Sequence, residues 1–464
     1  MSRLGAEFIL RATGGRLVGK ADFAVDRVEK DTRLDLRNAL YVALRGDRFD
    51  GHDFVAAAFA QGATAALVDA AHAPALTGAG PLVVVADTAL ALLDLAAAHL
   101  NRMPAQRVAL TGSNGKTTTK EMIASICRAA HGAEAVHATT GNLNNTIGMP
   151  LTALGVDLGT RVVVLEMGMN HPGEIATMAH CARPQVGLIV NVHRAHLEGL
   201  GSIEGVAAAK GELFEALAGD AIAVVNLDDS NCVAQASRTH ARRVTFGGSR
   251  DADVALVSRT AAADQQQLAL RIAGRELAVR LRHEGAHNAH NATAAAAVGH
   301  ALGIDATTIA AGLEAAPVVH GRLNVRELGG AHVIDDTYNA NPSSMQAAIE
   351  VAAQRATGRR LLVVLGEMRE LGAQSMPLHR ELGAAVARVQ PAHAWFAGAF
   401  AADCRSGAVD AGLAGDRIAI AADAAEFADD VARAVRAGDV VLIKGSRGAR
   451  MERVVERLTA TLGS

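Results

Sequence analysis

Residues 107–119 read RVALTGSNGKTTT, an apolar run followed by two glycines, a lysine and several hydroxyls. Glycines let backbone N–H groups turn toward an anion, and a helix that follows directs its positive end at the same point. Lys116 can then reach the outer phosphates of a nucleotide, and the Thr117 hydroxyl can complete a magnesium shell. Two residues separate the glycines, where the common phosphate loop has four. A plain glycine-rich turn is the weaker interpretation, so the segment predicts a nucleotide-phosphate site.

Charged residues follow other apolar runs in the middle of the chain. Glu166 comes directly after the run at 161–165, and a buried carboxylate there needs a partner, which a magnesium ion would supply. His196 follows another such run, and contact with a metal or phosphate is as good an interpretation as a plain polar loop residue. Lys210 lies at an otherwise apolar helix start, where the residues alone favour a snorkelling surface lysine.

Amide side chains are concentrated in two segments. Asn142, Asn144 and Asn145 lie between two glycines; asparagine is common in turns, but this hydrogen-bonding capacity also suits a sugar, amide or phosphate ligand. Asn288 and Asn291 are three residues apart at the start of an alanine-rich helix and so share a face. Such a pair can recognise an adenine edge, and a helix cap by Asn288 is an equally good interpretation.

Polar segments also interrupt the two terminal regions. Residues 45–53 favour a solvated loop that ends in an aspartate helix cap; a loop that grips a polar substrate, with 31–33 nearby, is the alternative. Toward the C-terminus, 335–343, 366–372 and 444–448 each follow an apolar run. The last is glycine-rich and doubly basic, which suits an anion or a developing negative charge. Each could be an ordinary loop, but three at one edge favour a site.

Alternating apolar runs and helix-like stretches must position these groups. Runs at 108–110, 162–165, 186–190 and 221–225 predict a mostly parallel sheet flanked by helices, with ligands at the carboxyl ends of its strands. The phosphate loop is followed by a helix-like pattern at 121–130. We therefore predict an α/β protein of three domains: a small N-terminal α/β substrate domain (1–100), a central P-loop-type domain (101–320) and a C-terminal Rossmann-like domain (321–464).

Composition narrows the class of protein. The chain has 464 residues, too many for one ordinary core, and is half hydrophobic and one fifth charged, as globular proteins are. A net charge of −3 and an aromatic content of 3% do not favour nucleic-acid binding, which uses basic surfaces and aromatic side chains for stacking. Four scattered cysteines suggest reduced thiols. With neither a signal-peptide pattern nor an apolar run long enough to span a bilayer, we expect a cytoplasmic protein, acting as a monomer.

Residues 111–117 resemble the short phosphate loop of the Mur ligases, the ATP-dependent amide ligases of bacterial cell-wall synthesis. Other segments resemble the branch that adds D-alanyl-D-alanine to UDP-N-acetylmuramoyl-tripeptide; they are 31–33, 50–54, 141–145, 166–168, 171–175, 195–199, 336–343 and 444–447. The resemblance therefore covers nearly the whole chain. The sister ligase that adds meso-diaminopimelate typically carries Asp-Asn-Pro-Arg, where this chain has Asn-Ala-Asn-Pro at 339–342.

The resemblance implies that ATP phosphorylates the tripeptide carboxylate and that the dipeptide amine attacks the acyl phosphate, with the C-terminal domain closing over the site. It implies ATP contacts by Gly112, Ser113, Asn114, Gly115, Lys116, Thr117, Thr118, Asn288, Asn291 and Arg322. Two magnesium ions would be held by Thr117, Glu166, His196 and a carbamylated Lys210, with catalytic roles for Lys116, His196 and Lys210. Substrate contacts would come from Asp31, Thr32, Arg33, Asn142, Asn144, Asn145, Asp336, Asn339, Asn341, Lys444, Ser446 and Arg447.

Two places depart from the family pattern. His193 and Arg194 stand where a small residue and proline are usual, which could add positive charge near the phosphates, and Glu367 stands where aspartate is more usual. The alternatives are a sister ligase, such as the diaminopimelate-adding or folylpolyglutamate enzyme, and a nucleotide-regulated binding protein without catalysis. Retention of Lys116, Thr117, Glu166 and Lys210 together argues against a mere binder. Diaminopimelate and lysine both remain open as the third residue of the tripeptide.

Overall fold

The computed structural model describes residues 3–19, 22–46, 49–261 and 265–463. Its N-terminal part is built on a five-stranded sheet whose strands, in spatial order, are Arg16–Val18, Leu82–Val85, Ala65–Asp69, Ala39–Val42 and Arg27–Glu29. Only the first strand is antiparallel to its neighbour. A short antiparallel pair, Leu4–Gly5 with Ala24–Val25, lies beside it. The helices are Ala6–Thr13, Val55–Ala60 and Thr88–Leu100, and the last agrees with the helical pattern of the sequence.

The central part is built on a nine-stranded sheet. Its order is Arg275–Leu281, Gln266–Ile272, Val254–Ala261, Arg242–Gly247, Ile222–Asn226, Val186–Ile189, Gln106–Thr111, Val162–Glu166 and Val136–Ala138. The last six strands are parallel, as predicted, and the four at their centre, Ile222–Asn226, Val186–Ile189, Gln106–Thr111 and Val162–Glu166, carry apolar runs that are buried on both faces. The first three strands form an antiparallel extension that the sequence analysis did not predict.

Helices cover both faces of the central sheet. They are Lys116–His131, Gly148–Leu154, Glu174–Ala182, Leu197–Leu200, Ile203–Glu215, Ser230–Gln235, Ala286–Ala301 and Ala306–Glu314. The helix after the phosphate loop begins at Lys116, five residues earlier than its apolar pattern, because the loop glycines themselves lead into the first turn. At Gly312 a Cβ would collide with the backbone of Ile126, so glycine is what lets two of these helices approach closely.

The C-terminal part is a six-stranded sheet in the order Asn324–Leu328, Ala331–Asp336, Val440–Lys444, Leu361–Gly366, His393–Ala397 and Ile418–Ala421. All but the first strand are parallel. Its helices are Pro342–Arg355, Ser375–Arg388, Ala401–Asp410, Ala428–Ala434 and Glu452–Leu462. As in the central part, the carboxyl ends of the parallel strands place several polar loops at one edge.

Candidate active site

The loop at 112–115 joins the central strand Gln106–Thr111 to the helix Lys116–His131. Gly115 lies at the helix N-cap with φ +75°, a conformation that glycine adopts without strain. A Cβ at Gly115 would collide with the Asn291 side-chain amide, so the loop is also tightly packed. The Ser113 hydroxyl bonds to the backbone of His193, and Thr118 is buried in the first helical turn. The result is a rigid turn with helix N–H groups directed at its centre.

Lys116 folds back over its own loop. Its Nζ donates a hydrogen bond to the Gly112 carbonyl at 2.8 Å. Burial lowers the pKa of Lys116, while the Glu166 carboxylate nearby acts in the opposite direction. A phosphate oxygen that enters the loop would replace the Gly112 carbonyl as the acceptor of this hydrogen bond.

Glu166 ends its strand beside the loop, as predicted. Its Oε1 accepts hydrogen bonds from Asn144 Nδ2 at 2.8 Å and from Thr117 Oγ1 at 3.3 Å. Its Oε2 is buried and has no hydrogen-bond partner within the described part of the chain. A buried carboxylate oxygen without a donor fits a hard divalent cation, which takes oxygen ligands. Thr117 also accepts a hydrogen bond from Arg322 at 3.0 Å.

Lys210 lies on the inner face of the helix Ile203–Glu215 and is only 1% exposed. The interpretation as a snorkelling surface lysine is therefore wrong, because the helix turns this residue toward the sheet together with Leu213 and Phe214. Burial, with the nearby Lys116 charge, holds the pKa of Lys210 well below its usual range. Among the described residues its ammonium has no hydrogen bond or ion pair. The site thus contains a buried amine that is readily neutral.

His196 pairs with a residue of the C-terminal part. Its Nδ1 lies 2.6 Å from Glu370 Oε2, and the Glu198 N–H donates to the Glu370 carbonyl at 3.1 Å. Both His196 and Glu370 adopt positive φ, 55° and 63°, so this meeting of two loops is held in a strained conformation. The hydrogen bond from His196 lowers the pKa of Glu370. The structure therefore brings His196 to the junction between the two parts.

Asn288 and Asn291 are both buried within the helix Ala286–Ala301. Asn291 Nδ2 donates to Asn288 Oδ1 at 3.0 Å, and Asn288 Nδ2 donates to the Glu284 carbonyl at 2.7 Å. The helix-cap interpretation of Asn288 is wrong, because the helix begins two residues earlier, after Gly285. Asn291 packs against the phosphate loop, so this pair does lie next to the nucleotide-phosphate site.

Of the three amides at 142–145, one reaches the carboxylate of Glu166. That residue is Asn144, whose carbonyl also accepts from the Gly168 N–H at 2.7 Å. Asn145 Oδ1 accepts from the Gly148 N–H at 2.8 Å and so holds the start of the next helix. Asn142 is exposed, as a ligand-binding or a turn residue would be.

The C-terminal part reaches the phosphate loop through the cap of its first helix. Asn341 caps Pro342–Arg355, and its Nδ2 donates to Asn114 Oδ1 at 2.7 Å. Asn114 Nδ2 in turn donates to Ser343 Oγ at 2.6 Å. Together with the bond from Arg322 to Thr117, these contacts join the two parts directly at the predicted nucleotide site.

The remaining C-terminal residues form a compact network behind that cap. Lys444 Nζ lies 2.6 Å from Asp336 Oδ2 and donates to the Asn339 carbonyl at 2.8 Å. Burial raises the pKa of Asp336, and Lys444 opposes that rise. Ser446 Oγ donates to the Ala340 carbonyl at 3.3 Å. The Arg447 side chain is 70% exposed, and its Nη1 lies 3.8 Å from Glu452 Oε1.

The N-terminal residues make local contacts. Arg33 bonds through its backbone and guanidinium to Asp31, which lowers the pKa of Asp31, and the intervening Thr32 is half-buried. In the segment 45–53, Asp47 and Arg48 lie outside the described residues. The expectation of a solvated loop that ends in an aspartate helix cap is confirmed for the described residues of the loop, because Arg45, Gly46 and Phe49 are exposed and an aspartate caps the short helix Gly51–Phe54. The cap is Asp50, and His52 is buried, bonded through Nδ1 to Asp50 and through Nε2 to the Asp69 N–H.

Sequence reasoning missed two residues that shape the site. Asn191 Oδ1 accepts from the Asn114 N–H at 2.9 Å, and Asn191 Nδ2 donates to the Asn114 carbonyl at 3.2 Å, so it fixes the loop from the neighbouring strand end. Its position just after an apolar run was the available signal. Glu370 lies in the segment 366–372, which also follows an apolar run, but its pairing with His196, 174 positions away, left no signal in the sequence.

Comparison with known families covers most of the chain. Models described as the Mur ligase family catalytic domain, the Mur ligase middle domain and the Mur ligase glutamate ligase domain match residues 35–108, 110–299 and 321–447. A UDP-N-acetylmuramoyl-tripeptide–D-alanyl-D-alanine ligase of Escherichia coli is 38% identical, over 96% of this chain and 96% of that protein. The chain belongs to the Mur ligase family. The correspondingly named ligase of Bacillus subtilis is 34% identical over 93% of this chain and 92% of its own length.

Solved Mur ligases agree in fold. MurF from Acinetobacter baumannii superposes with a TM-score of 0.88 at 31% identity, covering 99% of both chains. MurF from Thermotoga maritima in complex with ADP gives 0.81 at 30% identity, covering 94% of this chain and 98% of that one. The predicted three-domain α/β fold is confirmed, and as a member of this family the protein is an ATP-dependent ligase. No helix of the described ranges is both long and apolar enough to cross a membrane.

Proposed function

We propose that this Mur ligase joins D-alanyl-D-alanine to UDP-N-acetylmuramoyl-tripeptide, with ATP cleaved to ADP and phosphate. The observation that carries the proposal is the convergence, at one sheet edge, of a phosphate loop, a buried carboxylate and a buried amine. The loops of the C-terminal sheet meet them there through Asn341 and Glu370. The 38% identity to a relative of that name supports the choice of substrates.

In this proposal the phosphate loop binds ATP. Its N–H groups and Lys116 contact the outer phosphates, and Arg322, bonded to Thr117, lies beside them. Asn288 and Asn291 would contact the adenine side of the nucleotide. Each residue acts by position and charge, because phosphoryl transfer needs little covalent help from the protein.

We also propose that Thr117 and Glu166 hold a magnesium ion. The Thr117 hydroxyl and Glu166 Oε2, which no donor contacts in the described ranges, are the kind of oxygen ligand that such an ion takes. His196 and Lys210 would serve a second. Bound magnesium would neutralise charge that develops on the transferring phosphoryl group.

Lys210 would serve that role as a carbamate. Its neutral amine attacks carbon dioxide, a C–N bond forms and one proton is released, which converts a buried amine into an anionic oxygen ligand. The lowered pKa favours this step because the nucleophile is the unprotonated amine. Mass spectrometry and carbon-13 NMR of protein equilibrated with labelled bicarbonate should detect the adduct, and a Lys210→Met variant should lack it. Absence of label from the unsubstituted protein would contradict the proposal.

The reaction would proceed through an acyl phosphate. The tripeptide carboxylate takes the γ-phosphoryl group, the dipeptide amine attacks the acyl carbon, and phosphate leaves as the amide forms. Asp31, Thr32, Arg33 and Asn142 to Asn145 would contact the UDP-linked substrate, and Asp336, Asn339, Lys444, Ser446 and Arg447 the ATP or the dipeptide. We place the domain limits at 1–100, 101–320 and 321–464. We also propose that the protein is a monomer in the cytoplasm, where its four free cysteines stay reduced. Its product would serve cell-wall growth and division.

Phosphate release tests the function. Protein, ATP and magnesium are mixed with UDP-muramoyl-tripeptide, and D-alanyl-D-alanine is added or withheld. We expect release that requires both substrates, with the pentapeptide product identified by mass. Release that ignores the dipeptide but responds to another amino acid would assign the protein to a sister ligase, and no release despite ATP binding would favour a non-catalytic binder.

A further inference from the structure

A cavity of about 380 Å³ lies between the central and C-terminal parts, next to the phosphate loop. His193 and Ser343 both line it. His193 is bonded through its backbone to Ser113, and Ser343 accepts a hydrogen bond from Asn114. Pockets for small ligands run from about 300 to 1,000 Å³, so this one suits a small molecule and not a nucleotide sugar carrying a peptide. A ligand here would lie beside the transferred phosphoryl group.

One wall of the cavity is apolar. It is formed by Ile203, Met368, Leu378, Leu382 and Ala385. Met368, Leu378 and Leu382 are otherwise buried, so the wall belongs to the packed core and is preformed. Such a surface suits short aliphatic side chains, and a charged or long side chain would lose its hydration there.

Cationic side chains also line the cavity. Arg194 and Arg388 line it together with one carboxylate, Glu381, so the charge of the lining residues is net positive. Arg194 has no ion-pair or hydrogen-bond partner within the described residues, and the guanidinium of Arg388 bonds only to Gln346 Oε1, at 3.5 Å. Two arginines without carboxylate partners beside a ligand-sized cavity are prepared for an anion, because a guanidinium binds a carboxylate through paired hydrogen bonds.

We propose that this cavity binds the acceptor dipeptide, with Arg194 and Arg388 holding its carboxylate and the apolar wall contacting its methyl groups. The inference rests on the proposed function and deepens it. The reaction consumes the dipeptide amine and leaves the carboxylate unchanged. The protein can therefore hold the dipeptide by its carboxylate throughout the reaction. Held in this way, the amine faces Ser343 and the phosphate loop. Arg194 is then a specificity residue particular to this chain, since resembling ligases usually lack it.

The test compares kinetic constants for each substrate separately. Arg194→Ala should raise the KM for D-alanyl-D-alanine about 10-fold, as expected for loss of a hydrogen-bonded charge at a partly exposed site, and leave the KM for ATP unchanged. Arg194→Lys should raise the KM for the dipeptide less than Arg194→Ala does, because lysine restores the charge but not the paired hydrogen bonds of a guanidinium. Arg161→Ala is the matched control: this exposed arginine lies at the amino end of a central strand, at the opposite edge of the sheet.

A second substrate makes the test specific for the carboxylate. The C-terminal amide of the dipeptide has the same shape without the charge. The unsubstituted enzyme should use it poorly, and Arg194→Ala should reduce its use no further. An active enzyme whose KM for the dipeptide is unchanged by Arg194→Ala, or which accepts the amide as well as the acid, would overturn this inference alone. An enzyme that does not turn over the dipeptide at all would overturn the proposed function and this inference together.

Discussion

At the scale of single residues, the site is defined by polar groups whose hydrogen-bonding capacity is left incomplete. Among the described residues, Glu166 has one hydrogen-bonded oxygen and one buried oxygen without a partner, and the amine of Lys210, a residue that is only 1% exposed, has no hydrogen bond or ion pair. Burying such groups costs free energy through desolvation. Their position at the edge that carries the phosphate loop is what the proposed ATP and magnesium site would require.

Replacing the Glu166 carboxylate by an amide should therefore separate charge from shape. Glu166→Gln keeps the size of the side chain, but its neutral amide is a poor magnesium ligand, so we expect phosphate release to fall about 100-fold or more and the magnesium requirement to rise. Phosphate release across a magnesium titration measures both effects. Glu134→Gln, at an exposed glutamate, should behave like the unsubstituted protein. Parent-rate turnover by Glu166→Gln would rule out the metal assignment.

At the scale of elements, the phosphate loop depends on the close approach of two helices. Gly115 is in a left-handed conformation and also touches Asn291 of the helix Ala286–Ala301. A side chain at this position would be strained and would also push that helix away. Crowding and strain are separable here, because Gly132, at the other end of the same helix, has φ +89° with open space around its Cα.

We expect Gly115→Ala to abolish measurable ATP binding, since the methyl group displaces the amide of Asn291 and distorts the loop. Gly132→Ala should bind ATP normally and be destabilised only by placing alanine in a backbone region (φ 89°, ψ 156°) that is essentially restricted to glycine, at a cost of about 1–3 kcal/mol. Isothermal titration with ATP and magnesium, together with urea unfolding, measures the two effects. Equal ATP affinity in both variants would show that crowding at Gly115 is unimportant.

A buried histidine at the start of the helix Ala286–Ala301 makes the stability of the fold depend on pH. Burial, with the charges of Lys444 and Arg259, lowers the pKa of His287 from 6.5 to about 4. Between these values the unfolded chain binds a proton that the folded chain does not, so stability falls as pH drops from 6.5 toward 4. We expect His287→Gln to flatten this fall in urea unfolding measured at several pH values. His131→Gln, at an exposed histidine, should leave the slope as it is; a slope unchanged in both variants would exclude His287 as its source.

At the scale of the whole molecule, the elements that the sequence predicted correctly are those with a clear local pattern of apolar and capping residues. The buried strand Val162–Glu166 begins with three valines and a leucine, and the helix Thr88–Leu100 begins after a capping aspartate, so both were predictable. The antiparallel strands from Val254 to Leu281 were not, because charged and polar residues alternate along them and lower the apolar signal.

The positions of single polar residues depend on distant contacts. Lys210 resembles a surface lysine until the helix is docked on the sheet, and the pairing of His196 with Glu370 exists only once the C-terminal part is in place. No spacing within the sequence carries that information. The ligand-binding loops were found from composition, while their partners across the junction needed the fold.

Hydrogen bonds between the central and C-terminal parts also hold these two parts together in the ligand-free protein. The contacts found between the phosphate-loop region and the C-terminal loops are polar bonds: Asn114 with Asn341 and Ser343, Arg322 with Thr117, and Glu370 with His196. Three of these bonds are partly buried and one is exposed, and each contributes only about 1 kcal/mol, so losing one should shift the balance toward an open arrangement.

We therefore expect Glu370→Ala to enlarge the radius of gyration of the ligand-free protein in small-angle X-ray scattering, because it removes the side chain that holds the 196–198 loop. Glu198→Ala, in that same loop, leaves the backbone bond to Glu370 intact and should scatter like the parent. ATP with both substrates should bring Glu370→Ala back to the parent dimensions, since the bound ligands then bridge the junction. Identical scattering of the ligand-free parent and Glu370→Ala would mean that the other polar bonds alone keep the junction closed.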